Sequence, residues 1–479
     1  MAVRIRKSVW SLPPGDPILT WYRKAVAALI ARPTDNPSSW RYLAFIHGIP
    51  QGTSIPRAAQ GFWDQCQHQS WFFLPWHRGY VASFEAVVAK TIVELGGPAD
   101  WALPYWNYSE RLTANPNARL MPPDFFNRRL PDGSENALWS KRAAVANGNF
   151  NLGDGVVTLA ALQLRNFASQ PGTSGFGGPV TGFHTGGGNS GALENLPHNV
   201  IHGRIGGQTG FMSDPATAAL DPIFWLHHCN IDRLWEVWRN QGAAFRNPTS
   251  AQWLTDVAFN MHDGDGRPFT YTSRDMLDTT KVMHGYRYDS VPVAQEPPAP
   301  VHEMVEVAMA RQDEPELAGA NEGPVALTGD VTTTVVKLRP QLATRSFREA
   351  AKATPQHVYL SLENITGTGI PGDYKVYLDM PDDNKDPVLA GVLTTFGLER
   401  ASDPDRGHGG SGLSNVFDIT ELAGPLGLTE GTVDRLQVSF VRERAAPSEE
   451  GAPAGLLDYA QAVKPEPAIK VGRVSLFYD

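Results

Sequence analysis

Apolar residues recur with a helical period in several stretches of the first 290 residues. The clearest such face carries Phe224, His228, Ile231 and Trp235, which are spaced at i, i+4, i+7 and i+11. Asp221 is a favourable N-cap and Pro222 suits the first helical turn, so the pattern predicts that a helix begins there. This face is apolar apart from His228, which we expect to point inwards. His227 lies about 100° around the helix and cannot serve the same site from that face.

Three further helices are predicted nearer the start of the chain. An amphipathic helix is expected over residues 16–31, where Asp16-Pro17 forms the cap. Asn36-Pro37 can cap a second helix that runs to about His47. Pro75 is expected to start a third, whose long face carries His77, Val81, Phe84, Val88 and Ile92.

The apolar pattern changes beyond residue 290. Residues 291–330 are rich in Pro and Glu, which is typical of a linker. From 331 to 479 the apolar period becomes two, and turn residues separate the runs, as in 357–362, 374–378 and 471–477. This pattern predicts an all-β sandwich or jelly-roll-like domain.

Histidines on the predicted helices and in the segments before them form two sets of three. His198 and His202 are at i and i+4, so they lie on one face a turn apart, and His228 offers a third imidazole. The second set is His47, His68 and His77. Imidazole suits Zn, Cu, Fe or Ni, and the affinity order of divalent metals favours copper. Two matched sets indicate a paired centre that could bind O2 between two copper ions, whereas the alternative is six unrelated core histidines.

Three sequence blocks make the chain resemble the type-3 copper family of tyrosinases and polyphenol oxidases, in the long form with a C-terminal β domain. The blocks are 66–78, with Cys66-Gln-His68 and the Trp71 to Arg78 run, 197–202 (Pro-His-Asn-Val-Ile-His) and 221–238. The resemblance covers roughly residues 1–290. It implies a mainly α catalytic domain, a four-helix bundle that holds a dicopper centre, followed by the all-β sandwich. It also implies that His47, His68 and His77 bind the first copper and that His198, His202 and His228 bind the second. A basic entry segment, residues 4–10, would be tied to the end of this domain near Tyr286-Arg-Tyr288.

The resemblance also implies roles for residues beside the proposed ligands. Cys66 would form a thioether with His68, where the alternative is a free buried thiol. Glu194 and Asn199 would hold a water that helps to deprotonate a phenol. The alternative for Glu194 is a helix cap, because an acid near a helix N-terminus is favourable anyway. Around the copper pair we expect a pocket lined by Gly203, Met212 and Phe224.

The β domain is expected to act as a lid. Long members of the family cover the copper cleft with a C-terminal domain that inserts one apolar or aromatic side chain and keeps the enzyme latent. Phe396 is the first candidate for this side chain and Tyr459 is the second. The alternative is that Phe396 belongs to the ordinary core of the sandwich.

Composition and charge limit the classes of partner that the chain is expected to bind. The chain of 479 residues is 42% hydrophobic and 19% charged and has a net charge of −9, which argues against a nucleic-acid or anionic-membrane partner. It has no apolar run long enough to span a membrane and no signal-peptide pattern at its start. Two cysteines cannot form a disulfide scaffold, which fits a reducing compartment, so we expect a cytoplasmic protein. Homo-oligomerisation is left open.

The expected function is ortho-hydroxylation of monophenols and oxidation of o-diphenols to o-quinones with O2, on phenolic small molecules. A catechol-only oxidase or an o-aminophenol oxidase would use the same site on fewer substrates. An oxygen carrier like molluscan haemocyanin would share both the copper site and a C-terminal β domain. A single, non-repeated unit without a secretion signal argues against such a carrier.

Overall fold

The computed structural model describes residues 3–13, 15–143, 152, 157–170, 172–291, 315–339, 357–369, 372–379, 386–405, 409–428, 433–444 and 468–478. The helices in these ranges are α1 (Pro17–Ile30), α2 (Trp40–His47), α3 (Phe73–Glu94), α4 (Val200–Gly206), α5 (Pro222–Arg239), α6 (Ala251–Leu254), α7 (Leu398–Ser402) and α8 (Thr420–Ala423). Among them, none combines the length and apolar character that a membrane crossing needs.

Two of the predicted helix starts are confirmed. Asp16 caps α1 by accepting the N–H of Ile18 at 2.9 Å, and Asp221 caps α5 by accepting the N–H of Ile223 at 3.0 Å. In both helices a proline follows the cap. Local sequence therefore defines these two ends without help from the rest of the fold.

The other predicted starts need correction. Helix α2 begins at Trp40, and its cap is Ser39, which accepts the N–H of Tyr42. Asn36 instead accepts the N–H of Ser38 in the turn before it. Helix α3 begins at Phe73, two residues before Pro75, which still lies in the first turn, where a missing N–H costs nothing.

His198 and His202 do not share one regular helix. Residues Glu194–Asn199 form an irregular π-type turn, and Leu196 within it has non-helical angles (φ −135°, ψ 123°). A residue before proline is pushed towards the extended region, and Pro197 follows Leu196. The regular helix α4 begins only at Val200, so His198 lies in the turn and His202 in the helix.

The strands form three small pairs and one large sheet. The pairs are β1 (Arg4–Arg6) with β7 (Tyr286–Tyr288), β2 (Ala168–Ser169) with β3 (Gly178–Pro179), and β5 (Ala258–His262) with β6 (Pro268–Thr272). The large sheet contains β4 (Gly188–Asn189), β8 (Glu316–Ala320), β9 (Val325–Leu327), β10 (Val331–Leu338), β11 (Val358–Gly367), β12 (Gly372–Asp379), β13 (Val388–Leu393), β14 (Leu413–Asp418), β15 (Arg435–Arg444) and β16 (Ile469–Tyr478). The pairing of β1 with β7 confirms that the entry segment is tied to the end of the helical region.

The large sheet forms the β region that the sequence predicts after the linker. Within the described residues its strands follow one hydrogen-bonded order, β13-β12-β15-β10-β8-β16-β11-β14-β4, and β9 pairs with β16. Gly391 of β13 lies so close to β14 that a Cβ there would come within 2.5 Å of the Phe417 ring, although six strands separate the two along the order. Register shifts in β11 and β12 accompany this curvature, so one curled sheet encloses one apolar core. Strands β8 and β9 also lie in the range that the sequence assigned to a linker.

A buried cluster of ions joins the two long helices to the chain start. Asp232 of α5 accepts hydrogen bonds from Arg78 of α3 and, at 2.6 Å each, from the hydroxyls of Tyr286 and Tyr288. Arg6 of β1 reaches Asp232 and stacks 3.5 Å from the centre of the Tyr286 ring. Burial alone would raise the pKa of Asp232, but Arg78 and Arg6 hold it below its ordinary value. Removing one partner from such a buried pair typically costs about 3–5 kcal/mol. The cluster therefore holds α3 and α5 in one relative position.

The curled sheet is continuous with the helical region. Gly188 and Asn189 of β4 pair in parallel with Leu413 and Ser414 of β14. Beside this pair, the buried amides of Asn195 and Asn415 bond each other in both directions, at 3.1 and 3.0 Å. The two parts of the chain therefore share backbone and side-chain hydrogen bonds just before the turn that carries His198.

Candidate metal centre

The six predicted ligands come from four helices and the segments that precede them. His47 is the last residue of α2, His77 lies in α3 and His68 in the segment before α3. His202 lies in α4 and His228 in α5, while His198 lies in the irregular turn before α4. All six are at least 96% buried: His47, His68, His77, His198, His202 and His228.

The first cluster brings together His47, His68 and His77. Their ring centres are 5.3 to 5.6 Å apart. His47 donates from Nδ1 to the carbonyl of Pro215 at 2.8 Å, and His77 donates from Nδ1 to the carbonyl of Phe73 at 2.7 Å. A carbonyl can only accept, so the proton is on Nδ1 in both rings and Nε2 carries a lone pair. The Nε2 of His47 is buried without a hydrogen-bond partner among the described residues.

The second cluster brings together His198, His202 and His228. His198 donates from Nδ1 to the Asn199 Oδ1 at 2.8 Å, and His202 donates from Nδ1 to the carbonyl of Met212 at 3.0 Å. Their Nε2 atoms lie 3.3 and 3.4 Å from the Nε2 of His228. Three ring nitrogens therefore converge on one small volume.

The two clusters adjoin each other. The rings of His77 and His228 stack at 4.4 Å between centres and 10° between planes, and those of His68 and His198 are 5.7 Å apart. Phe224 contacts both sets, since its ring lies 5.0 Å from that of His47 and 4.2 Å from that of His228. Two metal ions held by these sets would be neighbours.

Burial keeps these imidazoles neutral. It lowers the pKa of His47 and of His198 to about 3, and it lowers the pKa of the other four well below the ordinary value. Neutral imidazoles whose lone pairs converge repel one another unless a cation lies between them. Two all-imidazole donor sets, in which four of the six rings are hydrogen-bonded at Nδ1 and turn Nε2 inwards, fit copper or zinc. The residues present thus fit the metal that the sequence predicts.

Cys66 lies within the first cluster. Its Sγ is 3.4 Å from Nδ1 and 3.6 Å from Nε2 of His68, so it faces the ring carbon between them, and it is also 3.4 Å from Nε2 of His77. Burial raises the pKa of the Cys66 thiol well above its ordinary value. The other cysteine, Cys229, is also buried and points away from the histidines towards the ionic cluster around Arg6.

Glu194 is completely buried at the edge of the centre. Its carboxylate accepts the backbone N–H of Gln69 at 2.9 Å and the Gln69 side-chain amide at 3.3 Å. Burial raises the pKa of Glu194 to about 8, although the N–H groups of Gln69 and Gly191 lower it. Asn199 is close in sequence, but its Oδ1 accepts from His198, which leaves its NH2 group to act as a donor.

Phe396 reaches the second cluster from the β domain. Its ring stacks on that of His202 at 4.2 Å and 19°, and it lies edge-on to His68 and His198 at 5.8 Å each. The interpretation of Phe396 as ordinary sandwich core is therefore wrong, because its ring packs on imidazoles outside that core. Tyr459 lies outside the described residues. Of the other pocket candidates, Met212 is buried and Gly203 faces Asp373 of β12.

Three further residues adjoin the centre: His227, which the sequence predicts beside the site or at the surface rather than as a ligand, and Tyr108 and Gln69, for which no role was predicted. The buried ring of His227 lies 5.3 Å from that of His198 and nearly parallel to it, and its Nδ1 is 2.9 Å from the hydroxyl of Tyr108. Gln69, which holds Glu194, is the third. The adjacent His227-His228 pair on a helix was a signal for the first of these. The contacts of Tyr108 and Gln69 span more than 100 residues and leave no local pattern.

Comparisons with known proteins agree with this geometry. The profile of the common central domain of tyrosinase matches residues 37–154 and 134–241, and a profile described as a domain of unknown function (DUF7868) matches 314–479. Tyrosinase HcTyr1 of Hahella sp. (strain CCB-MM4) is 36% identical over 451 residues, which cover 88% of this chain and 92% of that protein. The (+)-larreatricin hydroxylase of Larrea tridentata is 27% identical over 58% of this chain and 48% of its own length. The chain thus spans about half the length of such plant relatives.

Two solved structures share the fold over the whole chain. The structure of latent apple tyrosinase has a TM-score of 0.64 at 22% identity and covers 100% of this chain and 97% of that one. Recombinantly expressed latent aurone synthase (polyphenol oxidase) has a TM-score of 0.62 at 20% identity, over 100% of this chain and 90% of that one. At these identities the likeness extends to the fold alone.

Proposed function

The chain belongs to the tyrosinase family of copper-dependent oxidoreductases, and from that premise we propose that it uses O2 to ortho-hydroxylate monophenols and to oxidise o-diphenols to o-quinones. In this proposal His47, His68 and His77 hold one copper ion, and His198, His202 and His228 hold the other. The observation that carries the proposal is the convergence of neutral imidazole nitrogens in two adjoining buried clusters.

The residues of the chain position the reaction. Bound copper supplies the exchange of electrons with O2. The carbonyls of Pro215, Phe73 and Met212 hold three imidazoles in the tautomer that presents Nε2. Phe224 packs against both clusters and fixes the ring planes. An o-diphenol that enters beside His202 gives up two electrons and two protons, which pass to oxygen and yield the quinone and water.

Glu194 is proposed as the base that deprotonates a monophenol through a water that Asn199 orients. A buried carboxyl whose pKa is raised to about 8 is a stronger base than an exposed one. Gln69 anchors the carboxylate through two donors, which fixes its position. The alternative role as a helix cap has less support, since those donors come from a segment 125 residues away.

Replacing Glu194 tests this assignment and the reaction together. Glu194→Gln should lower oxygen uptake on a monophenol by about 10²-fold or more, the usual contribution of a general base, and should lower uptake on the matching o-diphenol far less. The measurement is oxygen consumption on tyramine and dopamine by the copper-loaded chain. Glu94→Gln, at an exposed carboxylate, is the control and should leave both rates unchanged.

Equal losses on the two substrates would refute the proposed role of Glu194. Wild-type uptake on dopamine alone would mean a catechol-only oxidase, and faster uptake on o-aminophenol would favour an o-aminophenol oxidase. Copper loading without uptake on any of these substrates, even after mild proteolysis of the β domain, would point to an oxygen carrier.

The β domain is proposed as a lid that keeps the enzyme latent. Phe396 occupies the face of His202 where a phenol ring would stack. Arg400, in the helix α7 that follows, pairs with Asp64 of the helical region at 2.7 Å. Together with the β4–β14 pairing, this contact supports a docked domain that must move before substrate enters.

Removing the Phe396 ring should activate the enzyme. Phe396→Ala in the full chain should raise kcat/KM for dopamine by about tenfold or more, because the fraction of molecules with an open site multiplies this constant. Oxygen uptake at equal copper content is the measurement. Phe477→Ala removes an aromatic ring that packs on Gly172 at the same domain boundary, and it should have a much smaller effect. Equal rates in wild type and Phe396→Ala would end the lid proposal.

Cys66 and His68 are proposed to form a thioether, which the facing Sγ and ring carbon support. Forming this bond would remove one hydrogen from each residue, two protons and two electrons in all, with O2 as the oxidant and bound copper supplying the electron exchange. The intact mass of the copper-matured chain, measured after metal removal, should therefore be two hydrogens below the value for two free thiols. Alkylation of the denatured chain should label one cysteine. The intact mass of the Cys66→Ser variant should equal the mass calculated from its unmodified sequence. Two alkylated thiols in the mature wild type would contradict the thioether.

A further inference from the structure

Arg204 follows the proposed ligand His202 by two residues, and its ionic partners lie on the β domain. Its Nε is 3.4 Å from Oδ2 of Asp373 on β12, and its guanidinium also bonds Glu443 on β15. The Nε–H is buried and has no well-aligned hydrogen-bond acceptor in the described part of the chain. The carboxylate of Asp373 thus balances the charge of Arg204 but leaves the Nε–H donor of Arg204 without a well-aligned hydrogen bond.

The carboxylate of Asp373 lies beside Gly203, the residue that follows His202. It is only 5% exposed, and a Cβ on Gly203 would lie 3.5 Å from its Oδ1. Gly203 therefore leaves room for a carboxylate beside α4. Burial raises the pKa of Asp373 to about 7 against the opposing effect of Arg204, which shows how costly a carboxylate would be here without the guanidinium.

The carboxylate and the Phe396 ring come from adjacent points of the lid. The hydroxyl of Thr395 donates to the carbonyl of Gly372 at 2.9 Å, so the residue before Phe396 is bonded to the residue before Asp373. The ring then stacks on His202 while the carboxylate lies against Gly203 and Arg204. The lid therefore places an aromatic ring and an anion over three consecutive residues of α4.

We propose that Arg204 binds the carboxylate of phenolic acids when the lid is displaced, and that the enzyme consequently prefers phenols with a carboxylate on a short side chain over phenols with an amine. This inference rests on the proposed phenol oxidation. In it, Phe396 and Asp373 together occupy the places of the substrate's ring and carboxylate. When the lid leaves, Asp373 and Glu443 leave with it, and the guanidinium on α4 lies beside the ring site without either anion. A guanidinium fork matches a carboxylate through two parallel hydrogen bonds.

The test compares substrates that differ in the charge of their side chain. For the full, copper-loaded chain, kcat/KM is measured on 3-(3,4-dihydroxyphenyl)propionate, on dopamine and on neutral 4-methylcatechol. The readout is the ratio of the acid to the amine. The fraction of molecules with an open lid multiplies both constants equally, so it cancels in this ratio. If Arg204 only holds the lid in place, substituting it would therefore leave the acid-to-amine ratio unchanged.

The acid-to-amine ratio is measured in two variants of Arg204 and in one control variant of Arg400. Arg204→Gln should lower the acid-to-amine ratio about tenfold or more, as expected for loss of a charged hydrogen bond. Arg204→Lys, which keeps the charge but not the fork, should recover part of it. Arg400→Gln breaks a second ionic contact of the lid among the described residues, to Asp64, and should raise kcat/KM on all three substrates at an unchanged ratio.

The inference would be overturned if the ratio in Arg204→Gln stayed within about twofold of the wild-type ratio while 4-methylcatechol was still oxidised, a difference too small for a lost charged hydrogen bond. Arg204 would then act only as a contact that holds the lid. If neither the wild type nor Phe396→Ala oxidised any of the three catechols, the proposed function itself would fail, and the substrate preference would fall with it.

Discussion

The structure depends on hydrogen bonds that hold the Nδ1 side of the site imidazoles. Carbonyl oxygens that can only accept hold His47, His77 and His202 in one tautomer, and Asn199 does the same for His198. Their Nε2 lone pairs then meet in a buried space, where polar groups without partners are costly. A metal ion offsets this cost, so the arrangement explains both why the centre is buried and why it would be stabilised by copper. The ionic cluster around Asp232 serves the same end, because it fixes the two helices that carry His77 and His228.

The β domain takes part in this centre as well as covering it. Strand β14 extends onto β4 just before the turn that holds Glu194, and Phe396 and Asp373 reach residues on either side of Gly203. One domain movement would therefore remove a ring from His202, free Arg204 from two carboxylates and loosen the backbone pairing beside Glu194. If the proposed roles of Phe396, Arg204 and Glu194 hold, substrate access, substrate recognition and the position of the base would be linked through one surface.

Much of the helical region could be predicted from sequence, because its signals are local. The Asp-Pro starts of α1 and α5 and the spacing of His228 within its apolar face depend only on neighbouring residues. Predictions failed where a nearby residue competed: Ser39 replaced Asn36 as a cap, and Pro197 broke the helix that would have carried His198. The hydrogen bonds from Gln69 to Glu194 and from Arg204 to Glu443 join distant segments and leave no periodic trace. The order of the strands in the large sheet could not be predicted either, since a period of two gives the strands but not the order in which they pair.

A copper titration of the metal-free chain tests the paired centre most directly, with bound copper and oxygen uptake on 4-methylcatechol measured at each step. A paired centre should saturate at two copper ions per chain, with uptake that follows binding of the second. His202→Gln should retain about one ion and lose uptake, because each of the two proposed sites has three imidazoles and this change opens one of them. His357→Gln, at a partly exposed histidine of the β domain, should behave like the wild type. Saturation at a single copper, or full uptake by His202→Gln, would contradict the paired centre.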